Sequence, residues 1–164
     1  MKVYVERLRD DIELPEYKNI GDAGMDVRAA EDMIIRPGET LVVPTGIAVA
    51  VPVGYELQVR PRSGMSCKTP LRIANSPGTI DSGYRDEIGI IISYEATLDR
   101  HWRQVFDLGM VGSIPNCSTY KICKGDRIAQ LVLKQVEKIE WEEVDDITAI
   151  EGDRGGGFGS TGTK

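Results

Sequence analysis

Gly78-Thr79-Ile80-Asp81-Ser82-Gly83-Tyr84-Arg85-Asp86-Glu87-Ile88-Gly89-Ile90-Ile91-Ile92-Ser93-Tyr94 is the stretch that decides the class of fold. Thr79 and Ile80 are β-branched, a Ser-Gly pair follows Asp81, and beyond the turn Ile88, Ile90, Ile92 and Tyr94 recur at every second position. That period belongs to a strand with one face inward, so the stretch predicts strand, tight turn, strand, a hairpin with Asp81 at its tip. Taken alone, Asp81 is a turn residue, because Asp bonds its own backbone in turns. The other reading is an acid presented beside an aromatic, Tyr84, for chemistry.

Working outward, the same period recurs. Tyr55, Leu57 and Val59 alternate with Glu56, Gln58 and Arg60, a half-buried strand running into Pro61. Ile47, Val49 and Val51 alternate with small residues, while Pro44 weakens the first half of 40–51 as a strand. Val3, Val5 and Arg7 alternate with Tyr4, Glu6 and Leu8 in a first strand, 10–22 reads as a polar loop, and 23–30 carries another short strand. Gly125-Asp126 signals a turn before a strand over 127–136, and a further strand is expected over 139–144. Residues 96–118, with His101, Trp102 and Phe106, break the pattern and predict a surface excursion. No helical period is sustained. Short strands separated by turn residues predict an all-β barrel or sandwich.

Composition bounds the rest. The chain has 164 residues and no Pro-rich or Ser-rich linker, which predicts one β domain over 1–144 and a tail, 145–164, with little to bury. A net charge of -6 argues against sequence-independent binding to nucleic acid, whose phosphates require clustered Lys and Arg. Cys67, Cys117 and Cys123 are odd in number and lack zinc or redox spacing, so reduced thiols are expected. The charged start and the lack of a membrane-length apolar run predict a cytoplasmic protein with no membrane partner. The single histidine, His101, lies in the least regular segment, which disfavours a Ser/His/Asp triad.

Several other segments have both a bland and a functional reading. Arg62-Ser63-Gly64 follows a strand, and Ser63 is either an ordinary cap of a short helix or part of an anion cradle beside a guanidinium. Asp26 after Ala23-Gly24 is a turn acid or a metal ligand. Gln130 inside an apolar strand either faces outward or points into a site, because a buried amide needs partners. The closing Arg154 to Gly162 is a disordered terminus or a lid: glycines wrap phosphates, Ser160 and Thr161 donate hydrogen bonds, Arg154 pairs with phosphate oxygens, and Phe158 stacks on a base.

Five of these segments, in this order, resemble the motifs of the trimeric dUTP diphosphatase (dUTPase) family. They are Ala23 to Val27, Pro61 to Gly64, Gly78 to Arg85, Gly125 to Val132, and Arg154 to Gly162. The resemblance implies a jelly-roll-like β fold, Mg²⁺, and hydrolysis of dUTP to dUMP and pyrophosphate in a homotrimer. It implies that Asp81 is the general base for a water attacking the α-phosphorus, and that Tyr84 packs under the deoxyribose and excludes a 2'-hydroxyl. Gly78, Thr79, Ile80 and Asp81, with Gly89 opposite and Asn75 nearby, would read uracil. Arg62, Ser63 and Gly64 would hold phosphates, Gln130 would contact the α-phosphate region, and Asp26 would bind Mg²⁺ through a water. Each site would be shared by three subunits, the arm crossing over so that Phe158 covers uracil. Arg154, Gly159, Ser160 and Thr161 would complete that closure.

Three features depart from the family pattern. The spacing from Arg154 to Phe158 is one residue shorter, Asp86 stands where Gly is usual, and 96–118 is longer than the corresponding loop. Two alternatives are a dCTP deaminase of the same fold, for which no motif supplies the catalytic Glu, and a nucleotide-dependent protein-binding regulator.

Overall fold

The alternating segments become strands, and the turn residues between them set where each one stops. The computed structural model describes residues 1–95 and 119–152. In chain order these form β1 (Tyr4–Arg7), β2 (Met25–Arg28), β3 (Met33–Ile35), β4 (Thr40–Pro44), β5 (Ile47–Ala50) and β6 (Tyr55–Arg60). After the short helix α1 (Ser63–Lys68) come β7 (Leu71–Ile73), β8 (Gly78–Ile80), β9 (Gly89–Tyr94), β10 (Tyr120–Ile122) and β11 (Arg127–Gln135). A single 3-10 turn over Ile147–Ala149 completes the described elements.

The fold is all-β. A four-stranded sheet runs β2-β11-β6-β8, a three-stranded sheet runs β4-β9-β7, and two ribbons pair β1 with β5 and β3 with β10, every pair antiparallel. Ile88, Ile90 and Ile92 are wholly buried, and Leu57 and Val59 nearly so, as their period-2 spacing predicts. They join Val43, Ile47, Leu71, Ile122 and Leu131 in one core.

In β11 the alternation lapses, because Ile128 and Ala129 are both buried. The register against β2 shifts between Arg127 and Ala129, a β-bulge that absorbs one residue. Past the bulge, Gln130 stands opposite Asp26 of β2 on one side and Arg60 of β6 on the other. The bulge therefore aims Gln130.

Three expectations are corrected. The stretch around Asp81 is a turn between strands but not a hairpin: β8 pairs with β6, while β9 pairs with β4 and β7. Periodicity gives a strand's facing, not its neighbour. The strand expected over 139–144 does not form, and Ile139, Trp141 and Val144 are exposed there. A strand also needs a partner edge, which alternation alone does not supply. The first strand forms as β1, with all four of its residues exposed. Ser63 is not the helix cap. Arg62 occupies that position in an extended conformation and makes no side-chain cap bond.

Candidate active site

The chain carries two separate groups of the expected site residues. The first lies where β2, β11 and the end of β6 come together. Asp26 and Gln130 are cross-strand partners, and β6 delivers Arg60, Pro61 and Arg62 to the same end of the sheet. Arg62 donates from Nε to Oδ1 of Asp26 at 2.7 Å, and from Nη1 to the carbonyl of Arg127 at 3.0 Å. Arg127 donates to Oδ2 of Asp26 at 3.4 Å. Two guanidiniums thus share one carboxylate, and the arrangement fixes Arg62 with N–H groups that have no partner among the described residues.

Gln130 donates from Nε2 to the carbonyl of Pro61 at 3.3 Å. These residues line a cleft of about 460 Å³, together with Ser63 and Gly64 at the start of α1 and with Glu16, Lys18, Asn19 and Asp22 of the 10–22 loop. The first N–H groups of α1 have no partner within the helix and are suited to an anion. Gly24, also in the lining, is demanded by packing. A Cβ there would lie 2.8 Å from Oε1 of Gln130 and 3.2 Å from Val132.

The second group surrounds the β8 turn. The Tyr84 N–H donates to the Asp81 carbonyl at 3.1 Å, closing the turn. Arg85 folds back over it, donating to the carbonyls of Ser82 at 2.8 Å and Tyr84 at 2.6 Å. Asp81 is exposed, and its carboxylate makes no hydrogen bond or ion pair among the described residues. Tyr84 is half-buried against the core, with its hydroxyl donating to the Glu87 carbonyl at 2.9 Å. Asn75 lies over Gly78, where a Cβ would approach its Nδ2 to 3.0 Å. Thr79 is exposed and Ile80 buried on β8. Gly89 sits on the other sheet, opposite Pro44, where a Cβ would meet Val42 at 2.4 Å.

One chain does not bring these groups together. β8 runs antiparallel to β6, with Ile80 opposite Leu57, so Asp81 leaves the sheet at the end of β6 where that strand begins. Arg62 lies five residues further along extended chain from Leu57, a span of about 17 Å at ~3.3 Å per residue. Arg154, Phe158, Gly159, Ser160 and Thr161, like the 96–118 excursion, lie outside the described residues. The sequence reading overlooked Arg127, Gly24, Arg60 and the loop residues Lys18 and Asn19. Arg60, the last residue of β6 and two positions before Arg62, was the one with a visible signal.

An exposed acid beside an aromatic, and a cleft lined by Lys18, Arg60 and Arg62 as well as by carboxylates, are carried on one antiparallel β scaffold, an arrangement suited to a hydrolase that acts on an anionic substrate. The dUTPase family model matches residues 10–97 and 98–162. The chain belongs to the dUTPase family, and it is a dUTP diphosphatase. It is 38% identical over 162 residues to the deoxyuridine 5'-triphosphate nucleotidohydrolase of Alkaliphilus metalliredigens, covering 99% of this chain and 98% of that protein. The enzyme of the same name from Clostridium tetani is 42% identical over 159 residues, covering 96% and 94%. Among solved structures, the Staphylococcus bacteriophage 80alpha dUTPase with dUPNHPP superposes with a TM-score of 0.79 at 32% identity, covering 98% of each chain. The dUTPase from phage phi11 of S. aureus, described with a structural Mg(II) ion, superposes at 0.73 with 30% identity, covering 90% of this chain and 99% of that one. These neighbours carry the jelly-roll-like β fold.

The residues present bear on how a divalent cation would be held. Among the described residues, no three His, Cys, Asp or Glu side chains gather into a metal cage. Asp26 already accepts on both oxygens from Arg62 and Arg127, yet its side chain is 32% exposed and opens into the cleft. A carboxylate has lone pairs beyond those two bonds, so Asp26 fits contact through a water and does not fit a sole direct ligand. Among the described residues, no helix is long and apolar enough to cross a membrane.

Proposed function

We propose that the chain hydrolyses dUTP to dUMP and pyrophosphate by in-line attack of a water held by Asp81 on the α-phosphorus. The observation that carries this reading is the separation of Asp81 and Tyr84 from the Arg62–Gln130 cleft along the length of β6. That separation supports a nucleoside triphosphate taking the two groups from different chains. The reading is therefore a homotrimer with shared sites, residues 1–144 forming each β domain and 145–164 an arm that closes a neighbour's site.

In this reading Asp81 orients the water and takes its proton, for which an exposed carboxylate without a competing cation is suited. The backbone from Gly78 to Asp81, with the Asn75 side chain beside Gly78, reads the uracil edge, and Tyr84 meets the sugar. Arg62, Ser63, Gly64 and Gln130 position the phosphates, since phosphoryl transfer asks mainly for placement and charge neutralisation. Mg²⁺ carried by the triphosphate supplies neutralisation of its oxygens, and Asp26 receives it through a water. Arg154, Phe158, Gly159, Ser160 and Thr161 exclude bulk water on closure. The activity limits uracil in DNA and supplies dUMP for dTMP synthesis.

The test is Asp81→Asn, which keeps shape and removes the base. The expected outcome is retained dUTP affinity with pyrophosphate release reduced by about 10²–10⁴-fold. Unchanged turnover would reject Asp81 as the base. A second, regulatory role is favoured by the phage 80alpha dUTPase, a relative said to control transfer of virulence genes by a proto-oncogenic G protein-like mechanism. Binding of a candidate partner that is indifferent to dUpNHpp would count against that role.

A further inference from the structure

The Asp81 loop is fastened at its root by residues that lie in none of the five motifs. Thr45 is the sole buried polar residue among the described residues, 2% exposed, and its hydroxyl donates to the Ile88 carbonyl at 2.6 Å. The next N–H, that of Gly46, donates to Oε1 of Glu87 at 2.6 Å. The Ile88 N–H in turn donates to the Ile47 carbonyl at 2.9 Å. The corner between β4 and β5 thus grips two consecutive residues, Glu87 and Ile88.

That corner is itself fixed. Gly46 has φ +71, and a Cβ there would lie 2.5 Å from Cγ1 of Ile12, so the turn admits only glycine. From Glu87 the grip passes to the site: the Tyr84 hydroxyl bonds the Glu87 carbonyl, and the Tyr84 N–H bonds the Asp81 carbonyl. A buried hydroxyl bond meets no competing water, and a carboxylate accepting from an N–H is charge-assisted.

We propose that Thr45 and Glu87 are positioning residues for sugar selection, fixing the Tyr84 ring at the height that leaves no room for a 2'-hydroxyl. Excluding one oxygen atom by contact tolerates little movement, because a displacement of ~1 Å is enough to change what a site accepts or turns over. Arg85 stiffens the turn from within, and Tyr84 rests on the core, while the Thr45–Gly46 corner supplies the hydrogen bonds that hold the loop's root. The inference rests on the reading that Tyr84 meets the sugar.

Steady-state kinetics with dUTP and UTP test it on Thr45→Val and Glu87→Ala, with Thr45→Ser and Glu87→Gln as rescues that keep the hydroxyl and the Oε1 acceptor. The expected result is a fall of about tenfold in the kcat/KM preference for dUTP over UTP, since contact against an added hydroxyl discriminates only ~100-fold when well held. The fall should come through a raised KM for dUTP and a gain on UTP, and both rescues should reverse it. A general loss of packing would instead lower the folded fraction, seen in the denaturant midpoint, and leave the preference unchanged. Wild-type preference in the folded variants, or a fall that Thr45→Ser does not reverse, overturns the inference. Glu87 is half-exposed, so Glu87→Ala carries the test should Thr45→Val fail to fold. A wild-type chain that turns over dUTP and UTP equally would sink the sugar reading itself. A selective wild type with unmoved variants sinks only the inference.

Discussion

Gly24 and Gly89 both sit where a Cβ would collide, and the two collisions have different consequences. At Gly24 the first atom met is Oε1 of Gln130, the far end of a flexible side chain. Gly24→Ala therefore displaces Gln130 from the cleft: KM for dUTP should rise several-fold, while the thermal midpoint moves little. At Gly89 the obstacle is Val42, 2.4 Å away and stiff at χ1. Gly89→Ala should cost roughly 1–3 kcal/mol of stability in a denaturant titration. At this scale the sequence showed which residue types belong to a site but not what each one touches. Asp26 looked like a metal ligand, and the guanidinium of Arg127 that shares it comes from residues far along the chain. No local pattern encodes that pairing.

Among the elements, β6 and β9 were legible because their core-facing residues recur at every second position, and β11 because a nine-residue, largely apolar run follows a Gly-Asp turn. β3, β7 and β10 have three residues each, too few to show a period; β7 is a strand because the longer β9 offers it an edge, and β3 and β10 are strands because they pair with each other. The β3–β10 ribbon also depends on charge. Asp32, just before β3, accepts from Lys121 of β10 at 2.6 Å and from the Lys124 N–H at 2.8 Å. The Lys121 hydrogen bond, then that N–H, hold its carboxyl below the ordinary 3.8. A depressed carboxylate stabilises the fold above its unfolded value, and that contribution is lost as pH falls through the folded one. Protection of the Tyr120 to Ile122 amides from exchange, taken relative to the intrinsic rate at each pH, should fall as pH drops below 3.8. In Asp32→Asn the exchange should be faster at neutral pH and show no such step; a step that survives in the variant would assign the effect elsewhere.

For the molecule as a whole, a lone chain leaves Tyr4, Ile139 and Trp141 at 74%, 70% and 88% exposure, apolar surface of the kind that association covers. The decisive observation is still the length of β6, with Asp81 near one end and Arg62 at the other. If a site takes Asp81 from one subunit and Arg62 from another, two inactive variants can repair each other. Asp81→Asn and Arg62→Ala chains, unfolded together and reassembled, should regain pyrophosphate release that neither regains alone. Mixtures that stay inactive, although mass measurement finds mixed trimers, would place both residues in one chain's site. The fold class was readable from sequence because it follows from patterning. The distance within one chain between the Asp81 turn and the Arg62 cleft was not legible in local patterning, because it depends on which strands pair: the apparent hairpin at Asp81 connects two different sheets.

The separation along β6 also has a genetic consequence. In a shared-site trimer a subunit lends its Asp81 turn to one pocket and its Arg62 cleft to another. A copy defective at both, but still able to assemble, spoils pockets whose remaining parts come from healthy copies. Such an allele should be dominant: expressed beside the normal gene, it should remove more activity than its share of the protein.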